Sequence, residues 1–206
     1  MEPKRQTALR LGLTGGVGSG KSTVAQMLVA QGAVLIDADH LSRQATTPLG
    51  IAIGPIRQAF GDELIDEHGA MHRERMRELV FNDPLARQRL EGIIHPLVSQ
   101  AAQAMALHAA QNGAAIVVFD IPLLIESGHW VKQLDRILVV DCSTETQIQR
   151  VQQRNGLPRA TVEGILAAQA SRKDRREAAD IVLHNDGVTL QGLQSAVLQI
   201  AQRFGL

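Results

Sequence analysis

The chain has 206 residues, 45% of them hydrophobic, with 21 basic and 21 acidic side chains and a formal net charge of +0. That length buries one substantial core, so a single α/β domain spanning 1–206 is expected rather than two independent ones. Balanced charge excludes the global basic field that draws nucleic acid, and the lone Cys142 excludes an intramolecular disulfide, which favours a reducing, intracellular compartment.

Met1 to Gln6 carries no apolar stretch long enough for a signal peptide, and no Cys/His spacing of the zinc-site kind occurs anywhere. The most apolar run, Ile116 to Ile125, is interrupted by Asp120 and Pro122, well short of the ~20 residues that cross a bilayer. A soluble cytoplasmic protein, with no membrane, nucleic-acid or obligatory protein partner, is expected.

Leu9-Arg10-Leu11-Gly12-Leu13 reads as a short strand. It leads into Gly15-Gly16-Val17-Gly18-Ser19-Gly20-Lys21-Ser22-Thr23, which fits G-x-x-x-x-G-K-[ST] in full and opens an amphipathic helix through Val24, Met27 and Leu28. Glycines let backbone N–H groups turn around a phosphate, and the helix adds the positive end of its dipole. The loop, Gly16 to Thr23, is therefore expected to bind a nucleoside triphosphate, with Lys21 on the β- and γ-phosphates and the Ser22 hydroxyl on Mg²⁺.

Ala33-Val34-Leu35-Ile36 is a buried parallel strand by its continuous apolar run, and it ends in Asp37-Ala38-Asp39. Functional groups gather at such strand ends in open α/β sheets. Either carboxylate also suits the cap of a helix starting near His40, and capping is the stronger reading for Asp37. From His40 to about Asn112 the pattern is mostly helical, with turns at Gly61-Asp62-Glu63 and His68-Gly69-Ala70. This far exceeds the dozen or so residues of a crossover, so a helical subdomain at about 40–112 is expected. Its arginines, 57, 73, 75, 77, 87 and 89, are mostly solvated faces or i,i+4 partners of Glu74, Glu78 and Glu91, and some are able to grip an anionic acceptor. His95-Pro96 marks a break between helical segments, and a histidine in such a setting is more often structural than catalytic.

Ala114 to Phe119 is the next buried strand, and Asp120 at its end either holds the magnesium hydration shell or acceptor, or serves structure. Pro122-Leu123-Leu124-Ile125-Glu126 follows. Arg136 to Val140 is a further strand, with Ser143 and Thr144 capping the next helix. Arg150 and Arg154 share one face of that helix, and neither has a carboxylate four residues away. The segment continues through Asn155-Gly156-Leu157-Pro158 to Ser171-Arg172-Lys173-Asp174-Arg175-Arg176, read either as a movable lid at about 151–177 or as a solvated basic surface. Asp180 to Gly187 is a last strand and turn, and Thr189 to Phe204 an amphipathic helix. The core is thus 8–39, 113–150 and 178–206.

No guanine-selecting Asn-Lys-x-Asp occurs, and a mechanochemical ATPase or helicase needs more domains than this length holds. A small kinase fits, because phosphate transfer to a small acceptor requires excluding water. The loop from Leu13 to Thr23, Ile36-Asp37-Ala38-Asp39, Leu90 to Pro96, Ile121 to Glu126, Arg150 and Arg154, Ala168-Gln169, and Ala179 to Asn185 in that order resemble the dephospho-coenzyme A kinase family. The resemblance runs from about Leu11 to Gly187. It implies an α/β P-loop kinase fold with a parallel five-stranded sheet, a helical coenzyme A subdomain and a lid. It also implies ATP-dependent phosphorylation of the ribose 3′-hydroxyl of dephospho-coenzyme A. Asp39 then matches the proposed catalytic carboxylate, with Lys21 and Arg150 completing the catalytic set. Arg150 matches a lid arginine on the phosphates, beside Arg154, and Asn185 a residue near the base. Thr14, Asp39, Arg73, His95, Asp120 and Leu123 are the expected acceptor contacts. The chain departs from the family at His72-Arg73, where Asp often precedes the arginine, and at Leu183-His184-Asn185, where Ile-Asp-Asn is common.

Overall fold

Short apolar runs alternating with amphipathic ones produce β1 (Leu9–Thr14), α1 (Lys21–Ala30), β2 (Val34–Asp37), α2 (Ala38–Ala45), α3 (Ile53–Phe60), α4 (Arg73–Asn82) and α5 (Pro84–Gln111). They are followed by β3 (Ile116–Asp120), α6 (Leu124–Ser127), β4 (Arg136–Asp141), α7 (Thr144–Asn155), α8 (Arg159–Ala167), α9 (Arg172–Glu177), β5 (Ile181–His184) and α10 (Leu190–Arg203). This computed structural model describes residues 8–128 and 130–205. Met1 to Gln6, where no leader is expected, lies outside the described residues.

Among the described residues the strands form one five-stranded sheet in the order β2-β3-β1-β4-β5. The pairs β1–β3, β1–β4 and β4–β5 are parallel, with Leu13 beside Asp120, Thr14 beside Val139 and Asp141 beside His184. Parallel strands must be covered on both faces, so β3 and β4 read as nearly unbroken apolar runs and are buried from Ile116 and Ile137 onward. Leu11, Leu13, Ile116, Val118, Leu138 and Val140 pack with Val24, Ala25 and Leu28 of α1 and Leu193, Val197 and Ala201 of α10. The chain leaves β1 toward β2 on one side and leaves its neighbour β3 toward β4 on the other, so the carboxyl ends of β1 and β3 are the place where a ligand cleft forms in such sheets.

The chain divides into two compact units. Residues up to Ile36 and from Ala106 onward form the sheet unit, and Asp37–Met105 form the second. The second unit is helical and has its own core of Ala45, Ala52, Ile56, Leu64 and Met76, backed by Phe60, Leu79, Leu90 and Ile93. Its turns are built by side chains. The Asp66 carboxylate accepts the His68 and Ala70 amides at 2.9 Å each, and Gly61 takes φ 90° before the short 62–64 turn.

One boundary differs from the sequence reading. His95-Pro96 does not separate two helices, since α5 runs through Pro96 as one 28-residue element. An internal proline forfeits a backbone hydrogen bond at about 3 kcal/mol. Here Val98, Ala102, Ala106 and Ala109 are buried along the following turns, and burial of an apolar stripe outweighs local propensity.

Two carboxylates join the ends of β4 and β5 to the helices beyond. Asp141, nearly fully buried, accepts two 2.8 Å bonds from Arg172, which hold its carboxyl below the usual range, and lies 3.3 Å from His184 Nδ1. Asp186 accepts from the Thr146 hydroxyl at 2.5 Å and the Ser143 amide at 2.9 Å, and these bonds pull its pKa down to about 2. A carboxyl whose folded pKa is depressed stabilises the fold above the unfolded value near 3.9 and loses that contribution as pH falls through the folded value. Acid unfolding of Asp186→Asn should therefore lose part of the pH dependence that the parent shows between pH ~4 and ~2, and urea midpoints across that window measure it. Identical pH dependence in the two proteins would show that Asp186 has no such linkage.

Candidate active site

The site grows from the junction of β1 and α1. Gly20 caps α1 with φ 93°, a left-handed conformation that a side chain resists, and no side chain caps the helix. The first-turn N–H groups of α1 are thus left for an anion, as a helix N-terminus provides. A Cβ on Gly20 would strike the Asn185 amide, and one on Gly16 would strike Gln147 Nε2 and lie 2.9 Å from Arg175 Nη2, so a side chain at either position needs those side-chain ends to move. Residues Gly15 to Thr23, with Pro122, Arg154 and Gln169, line a cavity of about 280 Å³.

Lys21 pairs with Asp120. The parallel register dictates the meeting, because it sets Asp120 beside Leu13 at the carboxyl end of the central strand. Ser22 is exposed on the first turn of α1 and lines the same cavity. Ser19 Oγ is buried without a hydrogen-bond partner among the described residues.

A second cavity, about 270 Å³, is lined by Gly20, Thr23, Arg150, Asn185, Val188, Thr189, Leu190 and Leu193. The two cavities share Gly20 and Thr23. Arg150 belongs to the second, apolar-walled one. Its Nη1 donates to the carbonyls of Gly18 and Ser19 at 3.3 Å each, and its Nη2 to the Asn185 carbonyl at 2.9 Å. Buried Asn185 donates through Nδ2 to the Ser19 carbonyl at 2.7 Å, closing the ring. Of the two arginines expected on the phosphates, only Arg154 lines the loop cavity. Three carbonyls hold Arg150, which lines the second cavity.

The remaining expected residues are placed as follows. Thr14 is buried and donates to the Pro122 carbonyl at 3.3 Å, which ties the end of β1 to the turn after β3. Leu123 is half-exposed immediately before α6. In the helical unit, Asp37 caps α2 by accepting the His40 amide at 2.9 Å. Asp39 is exposed in the first turn of the same helix and makes no hydrogen bond among the described residues. Arg73 donates through Nη2 to the Thr46 hydroxyl at 3.2 Å and the Arg43 carbonyl at 3.4 Å. His95 is exposed on α5. Arg87 pairs with Glu91 four residues on, and Arg89 stacks over Phe60 at 5.7 Å, which are structural uses of two of the six arginines.

Sequence reasoning missed what holds the loop. Gln147, buried on α7, donates from Nε2 to the Val17 carbonyl at 2.7 Å, and Gln169 Oε1 accepts the Val17 amide at 3.1 Å. The Val17 side chain packs with Ile148, Val151, Val162, Leu157 and Leu166 of the α7–α8 layer. Buried Arg175 donates to the Ala170 carbonyl at 2.5 Å, and Glu126 accepts the Ala170 amide at 2.7 Å. Within the basic stretch Arg172 and Arg175 are engaged with Asp141 and the Ala170 carbonyl. Gln169 and Glu126 stand in motifs the sequence displays, but polar side chains on exposed-looking helices carry no periodic signal of such contacts.

A glycine loop closing the central strand of a parallel sheet, a lysine at its helix terminus and a separate helical unit define a P-loop kinase of the small-molecule class. The family profile described as dephospho-CoA kinase matches residues 9–191, and the chain belongs to that family. It is 53% identical to a dephospho-CoA kinase of Albidiferax ferrireducens over 198 residues, 96% of this chain and 93% of the other. Among solved structures it is similar to a Thermus thermophilus protein, with TM-score 0.81, 30% identity and coverage of 97% and 98%. The fold also matches a dephospho-CoA kinase from Campylobacter jejuni, with TM-score 0.71, 22% identity and coverage of 94% and 95%. Among the described residues, no helix is long and apolar enough to cross a membrane.

Proposed function

We propose that this chain transfers the terminal phosphoryl group of ATP to the ribose 3′-hydroxyl of dephospho-coenzyme A, giving coenzyme A and ADP as the final step of coenzyme A synthesis. The observation that carries the reading is the Gly15–Thr23 loop, with Lys21 held at the carboxyl end of β3, in a chain of the dephospho-CoA kinase family. The bond between the γ-phosphorus and the bridging oxygen of ADP breaks, a bond to the 3′-oxygen forms, and the hydroxyl proton leaves.

The two cavities divide the nucleotide. The base and ribose take the apolar-walled one, where the Arg150 guanidinium offers a flat face for stacking and Asn185 sets the wall. The phosphates pass Gly20 and Thr23 into the loop cavity, where the amides of the α1 terminus and Lys21 neutralise charge as it moves to the β–γ bridge. Arg154 takes the lid role on the phosphates, and Arg150 positions the base. Asp120 keeps Lys21 aimed across the cavity. Asp39, two residues beyond the end of β2, orients the acceptor hydroxyl or takes its proton. Arg73, His95 and Leu123 are the proposed acceptor contacts.

The Ser22 hydroxyl and the Asp120 carboxylate offer the hard oxygen donors that suit Mg²⁺. When bound, the ion supplies charge neutralisation between the β- and γ-phosphates. A cytoplasmic location accords with ATP use and with the free Cys142 thiol.

An assay of ADP release from Mg·ATP with and without dephospho-coenzyme A, with the product weighed for one added phosphate, tests the reading. Acceptor-dependent ADP with that mass gain is expected. ATP binding without acceptor-dependent turnover would sink it.

A further inference from the structure

We propose that Gln169 is a phosphate-binding residue that donates from its side-chain Nε2 to the terminal phosphate of the bound nucleotide. The proposal rests on the phosphoryl-transfer reading and extends it to a neutral donor that the P-loop signature does not contain.

The Val17 backbone nitrogen can only donate, so the carboxamide atom facing it at 3.1 Å must be the oxygen. That single contact settles the orientation of the whole carboxamide. Its –NH₂ end is turned away from Val17 and makes no hydrogen bond among the described residues, although the side chain lines the loop cavity. Its two N–H donors are therefore unengaged in a residue that lines the same cavity as Lys21, Ser22 and Arg154.

Which phosphate they meet follows from the two cavities. The base cavity and the loop cavity share only Gly20 and Thr23, so an extended nucleotide must cross there. Gln169 lines the loop cavity and not the base cavity, together with Lys21, which reaches the β- and γ-phosphates in loops of this kind. The phosphate farthest from the base is therefore the one assigned to Gln169.

The carboxamide is also held firmly enough to act. Val17 is fixed on three sides, by Gln169 at its amide, by Gln147 at its carbonyl and by the α7–α8 apolar layer around its side chain. The next residue, Ala170, is tied at its amide to Glu126 and at its carbonyl to Arg175. A donor positioned before the substrate arrives needs no reorganisation during transfer.

The test compares affinities of the parent, Gln169→Glu and Gln169→Ala for ADP and for the β,γ-imido analogue of ATP, by calorimetry with Mg²⁺. Glutamate keeps an acceptor for the Val17 amide but replaces the donor with an anionic oxygen. A donor to the terminal phosphate predicts that Gln169→Glu weakens the triphosphate analogue by about ten- to a hundredfold, the scale of a hydrogen bond to a charged group. ADP affinity should stay within about twofold. Gln169→Ala should show the same selectivity with a smaller loss. Equal weakening of both nucleotides would assign Gln169 to holding the loop alone and overturn the proposal, as would no weakening of either. Both binding arms are read without an acceptor, so failure of the parent to phosphorylate dephospho-coenzyme A would count against the acceptor reading alone.

Discussion

Replacing Lys21 with alanine should lower turnover by about 10²–10³, the cost of removing one preorganised electrostatic donor from a developing oxyanion. The physical case rests on where the ammonium sits. It stands at the start of α1, beside amides that no side chain caps, and pairs with Asp120 at the wall of the loop cavity. Charge builds on the β–γ bridging oxygen as the terminal phosphoryl departs, and Lys21 is the one cation contributed by the loop itself. Lys21→Arg should not restore the rate, because a planar guanidinium cannot take the place of a compact ammonium in that space. Single-turnover measurement at saturating Mg·ATP separates the rate from the affinity. A Lys21→Ala variant within about threefold of the parent rate would remove Lys21 from transition-state stabilisation.

The second large effect is expected at Asp39. Asp39→Asn should lower turnover by about 10²–10⁴, the usual contribution of a general base, while ATP affinity stays unchanged. The carboxylate is exposed at the start of α2, so its charge is not needed to complete a network within the helical unit. What asparagine removes is confined to the favourable helix-terminus interaction, about 0.3–1 kcal/mol, and any role with the acceptor. A melting temperature close to the parent, intact ATP binding and lost transfer together would assign Asp39 to the acceptor step. Near-normal turnover would take it out of the mechanism.

Much of the molecule was legible beforehand. Glycine spacing, Lys21 and the apolar run before them specify the phosphate loop because phosphate binding is local, needing only one strand end, one turn and one helix start. The buried strands show as unbroken apolar runs because parallel sheets are covered on both faces. Caps at Asp37 and Ser143 are local as well, and each accepts an amide of its own helix.

Tertiary structure alone decided the rest. Pro96 reads as a break because local propensity acts on the residue before it, yet buried positions further along α5 carry the helix through. Arg150 and Arg154 are equivalent on a helical wheel. Only packing of α7 against the loop and β5 sends one to the Gly18, Ser19 and Asn185 carbonyls and the other to the loop cavity. Gln147 and Gln169 lie 22 residues apart and look like surface glutamines. Their convergence on the two sides of Val17 has no local signature, since a hydrogen bond depends on where two chain segments meet and leaves no period in either of them.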